Sequence, residues 1–311
     1  MKQGIEAVDF GRRRVNPAGF AADLGSSFER YGFAVVRNHG LPQPLIERCL
    51  EDFRRFFALP RGDKMRHHVP GSGGARGYTP FGVEAAKGAT EHDLKEFWHV
   101  GRELVAGHRF RRYMPDNLWV DGIAGFRETV LSLWAAFDAM GRELLSAIAT
   151  HLGLPPRWFD DKVSEGNSVL RVIHYPPLGR GDRGIRAGAH EDINVITLLL
   201  GAEEAGLQVL DRDGQWLDIN PPAGSLVCNI GDMLQRLTNH RLPSTTHRVM
   251  NPPPERAGRA RYSMPFFLHF NPDVEIRSLP SCVGPGKPDR YPEPITADAY
   301  LQQRLREIRL L

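Results

Sequence analysis

Residues 169–270 break into short β-branched and apolar runs separated by Gly, Pro and Asn. Such runs can bury themselves only by pairing into a sandwich or barrel, which brings residues far apart in sequence onto neighbouring strands. Within this region, residues 186–200 read RAGAHEDINVITLLL. Side chains two apart on a strand share a face, so His190 and Asp192 point the same way and Glu191 points away. Further runs at 206–210, 216–219 and 225–230 read as strands, with turn signals at 211–214 and 220–224.

A third chemical group lies downstream. His247 sits in STTHRV, a β-branched run that reads as a strand, whereas its rival His240 sits in NHRLP, which reads as a turn. Two imidazoles and one carboxylate on one side of a metal leave the other side open, the donor pattern that suits ferrous iron in oxygen chemistry. His190, Asp192 and His247 are therefore the expected metal ligands. Farther on, Arg261 and Ser263 again stand two apart, in the run ARYSMPFFLHF at 260–270. An arginine fork beside a hydroxyl suits a carboxylate.

These residues carry a resemblance. HED at 190–192, HRV at 247–249, RYS at 261–263 and the amino-terminal run YGFAVVRNHGLP at 31–42 resemble the isopenicillin N synthase-like group of iron(II)/2-oxoglutarate-dependent oxygenases. The likeness covers nearly the whole chain. It implies mixed α and β structure with a double-stranded β-helix core, a jelly roll of the cupin-like kind, flanked by helices. It divides the chain into an amino-terminal α/β region, 1–118, and an oxygenase core with its long helix and carboxy-terminal helix, 119–311. The activity implied is oxidation of a small organic substrate by dioxygen, coupled to decarboxylation of 2-oxoglutarate to succinate. Fe(II) would be held by the triad, and 2-oxoglutarate by Arg261, Ser263 and Tyr175. Where that group often has Asn and Tyr just before this tyrosine, the present chain has Ile173 and His174. Some relatives use the Arg-x-Ser pair for a different anion. Two alternatives thus stand beside the dioxygenase: an Fe(II) oxidase on the same scaffold that uses no 2-oxoglutarate, and a silent metal-binding module.

Substrate contacts are sought in the amino-terminal half. The Gly- and Pro-rich stretch 70–82 reads as an exposed loop carrying Arg76 and Tyr78, and 91–104 adds Lys95, Glu96 and His99. Phe266, beyond Ser263, joins them through the resemblance. Arg76 and Lys95 point to a small carboxylated substrate.

Helical spacing marks 17–30 (Phe20, Leu24, Phe28), 44–59 (Ile46, Cys49, Leu50, Phe53, Phe56, Phe57) and 119–152 (Leu131, Trp134, Phe137, Met140, Leu144, Ile148). Thr296 caps a last helix, 297–310, striped with Tyr300, Leu301, Leu305 and Ile308. That helix covers the barrel or meets a second subunit. At 311 residues, 41% hydrophobic and 25% charged, the chain has room for a large core. A net charge of +3 is too small to argue for nucleic acid, and GRRR at 11–14 reads as a solvated turn. Cys49, Cys228 and Cys282 are too few and too scattered for a disulfide framework. No signal-peptide core or membrane-length run is present in the sequence. The expectation is a cytoplasmic monomer or homodimer with no membrane or nucleic-acid partner.

Overall fold

The computed structural model describes residues 4–84, 91–179, 183–201 and 205–307. Two sheets face each other. Their strands are β1 (Ala7–Asp9), β2 (Phe33–Arg37), β3 (Gly77–Thr79), β4 (Glu96–Gly101), β5 (Val169–Tyr175), β6 (Ala187–His190), β7 (Ile196–Leu200), β8 (Leu207–Leu210), β9 (Trp216–Asp218), β10 (Leu226–Ile230), β11 (His247–Val249) and β12 (Arg261–Leu268). The larger sheet runs β1-β2-β10-β7-β12-β5-β4-β3 and the smaller β6-β11-β8-β9. Every pairing is antiparallel except β1 with β2. This is the double-stranded β-helix with flanking helices that the resemblance implies, and it narrows the sandwich or barrel that the strand pattern suggests.

Period-two alternation sorts the larger sheet into two chemistries. On one face Val36, Leu170, Val172, Leu198, Leu200, Phe266 and Leu268 enter the main core. There they pack on the helices Pro17–Tyr31, Gln43–Phe57 and Phe126–His151, which supply Phe28, Phe53 and Phe137 among others. On the other face Phe33, Val35 and Val227 meet Ala187, Leu207, Val209 and Val249 of the smaller sheet. The intersheet space is thus packed with apolar side chains that also wall a cavity lined by His190, Asp192, His247 and Arg261.

Local signals explain the helix limits. Asn16 accepts the Gly19 N–H at 2.9 Å and Pro17 opens the first long helix, which stops at Gly32 with φ 69°. The longest helix begins at Phe126, later than the expected 119, because Gly125 at φ 74° turns the chain into it. The last helix spans Ala297–Glu307, and Ile308 of the expected stripe lies outside the described residues. The arginine run at 11–14 forms a helical turn, Arg12–Val15. Nor is 70–82 wholly an exposed loop: Gly77, Tyr78 and Thr79 form β3, buried and paired with His99, Trp98 and Phe97.

Candidate functional site

β6 and β11 pair with His190 opposite His247, which sets the two imidazoles 4.3 Å apart between ring centres. Asp192 stands just beyond the end of β6 and offers Oδ1 to both, 3.8 Å from His190 Nε2 and 3.9 Å from His247 Nε2. One ligand atom from each residue lies within 4.8 Å of the others. His240 is elsewhere: its backbone is left-handed at φ 64°, and its ring stacks on Tyr291, with Nε2 2.6 Å from that hydroxyl.

The neighbours orient each donor. Carbonyl oxygens only accept, so His190 Nδ1 donates to Gly188 O at 2.7 Å and His247 Nδ1 donates to Thr245 O at 3.1 Å. Both Nε2 lone pairs are left facing the gap. Asp192 Oδ2 accepts from Thr197 Oγ1 at 2.6 Å and Asn229 Nδ2 at 2.8 Å, leaving Oδ1 for the same gap. Desolvation within the cavity, and then the neighbouring His247, push His190 down to about 4. Burial raises Asp192, but the two imidazoles and the Asn229 and Thr197 hydrogen bonds outweigh it and hold the carboxyl below its usual range. A neutral His190 and an ionised Asp192 are the states in which these groups can ligate a divalent metal. Thr197 and Asn229 were not among the expected site residues. Their place on the metal-facing side of β7 and β10 is the signal that could have found them.

Beside this gap a cavity of about 60 Å³ is lined by Tyr175, Arg261, Ser263, Lys95 and the triad. Arg261 faces Tyr175 across the β12–β5 register, with its guanidinium 5.0 Å from the ring centre. It is 1% exposed. Nη2 donates to Gly201 O at 3.2 Å, while Nε and Nη1 have no hydrogen-bond partner among the described residues. Leaving donors of a charged group buried and unsatisfied costs on the order of 1–3 kcal/mol each, so the residues present fit a bound carboxylate. The donor set at the triad fits iron(II) in the same sense.

A larger cavity, about 560 Å³, adjoins the first and shares His190 and Asp192 with it. Lys95 lines both spaces, and Phe267, His269, Arg171, Asn194, Leu301 and Leu305 line this one. The other expected substrate residues are not brought there. Phe266 is fully buried on the opposite face of β12, stacked on Phe137 at 5.4 Å and edge-on to Trp134. The tyrosine at 78 and Lys64 both hydrogen-bond Glu96 on the helix-facing side of β4, where His174 also meets it at 2.8 Å. Arg76 packs against Gly101 and donates to Asn167 Oδ1 at 3.1 Å and Ala75 O at 2.7 Å. His99 accepts from Arg171 Nε and donates to Gly74 O. Sequence reasoning passed over Phe267, Arg171 and His269. Counting in twos from Arg261 and from Tyr175 reaches all three.

An imidazole–carboxylate–imidazole face on a double-stranded β-helix, beside a buried arginine with spare donors, has the donor chemistry of a non-haem iron oxygenase. Residues 166–270 match the model of the 2OG-Fe(II) oxygenase superfamily, and residues 5–122 that of the amino-terminal region of the non-haem dioxygenase in morphine synthesis. A 2-oxoglutarate-Fe(II) type oxidoreductase of Emericella nidulans is 36% identical over 285 residues, spanning 88% of this chain and 80% of its own. A 2OG-Fe(II) oxygenase family protein of Caulobacter crescentus, seen in a crystal structure, is 58% identical with a TM-score of 0.92, over 98% of this chain and 99% of that one. A full-length protein of Neurospora crassa, crystallised with alpha-KG and thymine, is 29% identical with a TM-score of 0.84, over 98% of each chain. The chain belongs to the iron(II)- and 2-oxoglutarate-dependent oxygenase superfamily. It is an oxidoreductase, a dioxygenase whose cofactor is Fe(II) and whose co-substrate is 2-oxoglutarate, acting with dioxygen on a small molecule. Among the described residues no helix is long and apolar enough to cross a membrane.

Proposed function

We propose that His190, Asp192 and His247 hold the iron, that Arg261, Ser263 and Tyr175 hold the far carboxylate of 2-oxoglutarate, and that the 560 Å³ cavity admits the substrate. The observation that carries the reading is Arg261, buried beside the triad with two donors unmet among the described residues. The match to the 2OG-Fe(II) oxygenase model and the relative named a 2-oxoglutarate-Fe(II) type oxidoreductase favour the 2-oxoglutarate enzyme over the oxidase. Iron, when bound, supplies the activation of dioxygen. The chain does the rest. Gly188 O and Thr245 O keep both imidazoles in the ligating tautomer, and Thr197 and Asn229 hold the carboxylate's orientation. Phe267, Leu301 and Leu305 give the substrate cavity apolar walls that displace water. No side chain is needed as a general base, and none is assigned.

The test is an anaerobic titration of metal-free protein with Fe(II) and then 2-oxoglutarate, following the visible charge-transfer band of the chelated oxo acid. Arg261→Gln is expected to keep iron but weaken 2-oxoglutarate binding about 10- to 100-fold, the worth of one charge-assisted contact. A variant that binds the oxo acid as well as the parent would sink the carboxylate assignment. We also infer a reducing, cytoplasmic location from Cys49, Cys228 and Cys282, all buried and free, and a monomer or homodimer in solution. Cell fractionation and sedimentation check these.

A further inference from the structure

β12 carries two chemistries along one face. Arg261 and Ser263 lead to Phe267, and His269 follows just past the end of the strand, two residues on and lining the larger cavity. His269 is 9% exposed and its ring has no hydrogen-bond partner among the described residues, although its backbone N–H donates to Ser168 Oγ at 3.1 Å. Burial pushes it down to about 4, so the ring is neutral and offers one N–H and one lone pair.

The charged groups lining that cavity are already matched. Lys95 Nζ lies 2.9 Å from Glu84 and 2.8 Å from Asp93. Arg171 lies 3.3 Å from Glu84, and its guanidinium covers the Phe97 ring at 4.1 Å and the Phe267 ring at 5.3 Å. Arg304 lies 3.0 Å from Asp232 and 4.0 Å from Glu191. An incoming carboxylate would compete with Glu84, Asp93 and Glu191 for these cations, and an incoming ammonium with the cations for those carboxylates. A buried neutral imidazole with no partner is matched at least desolvation cost by a polar, uncharged group, because a charged one would give up far more hydration on entering.

We propose that the substrate is uncharged at the end that enters this cavity and that His269 is the specificity-determining residue, hydrogen-bonding that end while Phe267 packs against it. This rests on the cavity assignment above and replaces the carboxylated substrate that Arg76 and Lys95 had suggested.

The test is calorimetric binding of matched probes to the anaerobic protein loaded with iron, with and without 2-oxoglutarate. The probes are thymine against uracil-5-carboxylate, and 4-methylbenzamide against 4-methylbenzoate. At least one neutral member is expected to bind, about tenfold or more tighter than its carboxylate partner. His269→Phe should erase about tenfold of that binding, the worth of one hydrogen bond, and His269→Asn should restore part of it. Both variants should keep the parent's 2-oxoglutarate band, which shows the fold and metal site intact. Equal or tighter binding of the carboxylates, silence from every neutral probe, or a His269→Phe protein within twofold of the parent would overturn the proposal. A missing 2-oxoglutarate band in the parent indicts the co-substrate assignment instead, since the probe comparison needs neither band nor turnover.

Discussion

Single residues divide into those that face the intersheet gap and those that only resemble site residues. His247→Ala should abolish iron binding in an anaerobic titration, while His240→Ala should leave it intact, because His240 is stacked on Tyr291. An iron-binding His247→Ala protein would move the third ligand. Glu96 shows the opposite case. Burial raises its pKa, but hydrogen bonds from His174, Lys64 and Tyr78 outweigh this and hold the carboxyl below its usual value. A carboxyl with a depressed folded pKa stabilises the fold above its unfolded value, about 4.3, and that contribution fades as pH falls through the folded value. Glu96→Gln should therefore lower stability at pH 7, with the gap to the parent closing below about pH 4, and leave the 2-oxoglutarate band unchanged. A lost band with unchanged stability would return Glu96 to the site.

At the scale of the element, alternation along a strand decides what each side chain does. Phe266 and Phe267 are chemically identical neighbours, yet one stacks on Phe137 in the core and the other lines both cavities. Truncating a buried phenylalanine costs about 3–5 kcal/mol. Phe266→Ala should thus lower the urea midpoint by that equivalent, while Phe267→Ala should cost far less stability and alter probe binding. Comparable destabilisation by both would contradict the face assignment. The strand character of 169–175 and 261–268 was legible from composition. Which phenylalanine served the cavity was legible too, by counting in twos from Arg261, but the resemblance pointed to its neighbour.

For the whole molecule, the amino-terminal strands matter because they complete the larger sheet. β2 pairs with β10, which carries Asn229, and β4 pairs with β5, which carries Tyr175. A chain of residues 119–311 alone would expose both edges and the helix-packed face. It should show no cooperative thermal transition and no iron binding. A cooperative, iron-binding fragment would establish the carboxy-terminal region as a self-sufficient domain.

The sequence by itself determined a sandwich or barrel of short strands, the candidate ligands His190 and Asp192 and the Arg-x-Ser couple, because these follow from residue type and spacing; the jelly-roll class came from the resemblance. Tertiary structure decided the rest. His247 enters the gap because β11 lies in register with β6, a long-range pairing that spacing alone leaves open. Among the described residues the ring of His269 has no hydrogen-bond partner, and Lys95 is neutralised because other segments bring Glu84 and Asp93 to it. Charge is a property of a residue, but whether that charge is available to a ligand depends on its neighbours in space. Arg76 and Lys95 looked like free cations in the sequence, and the fold had already used both.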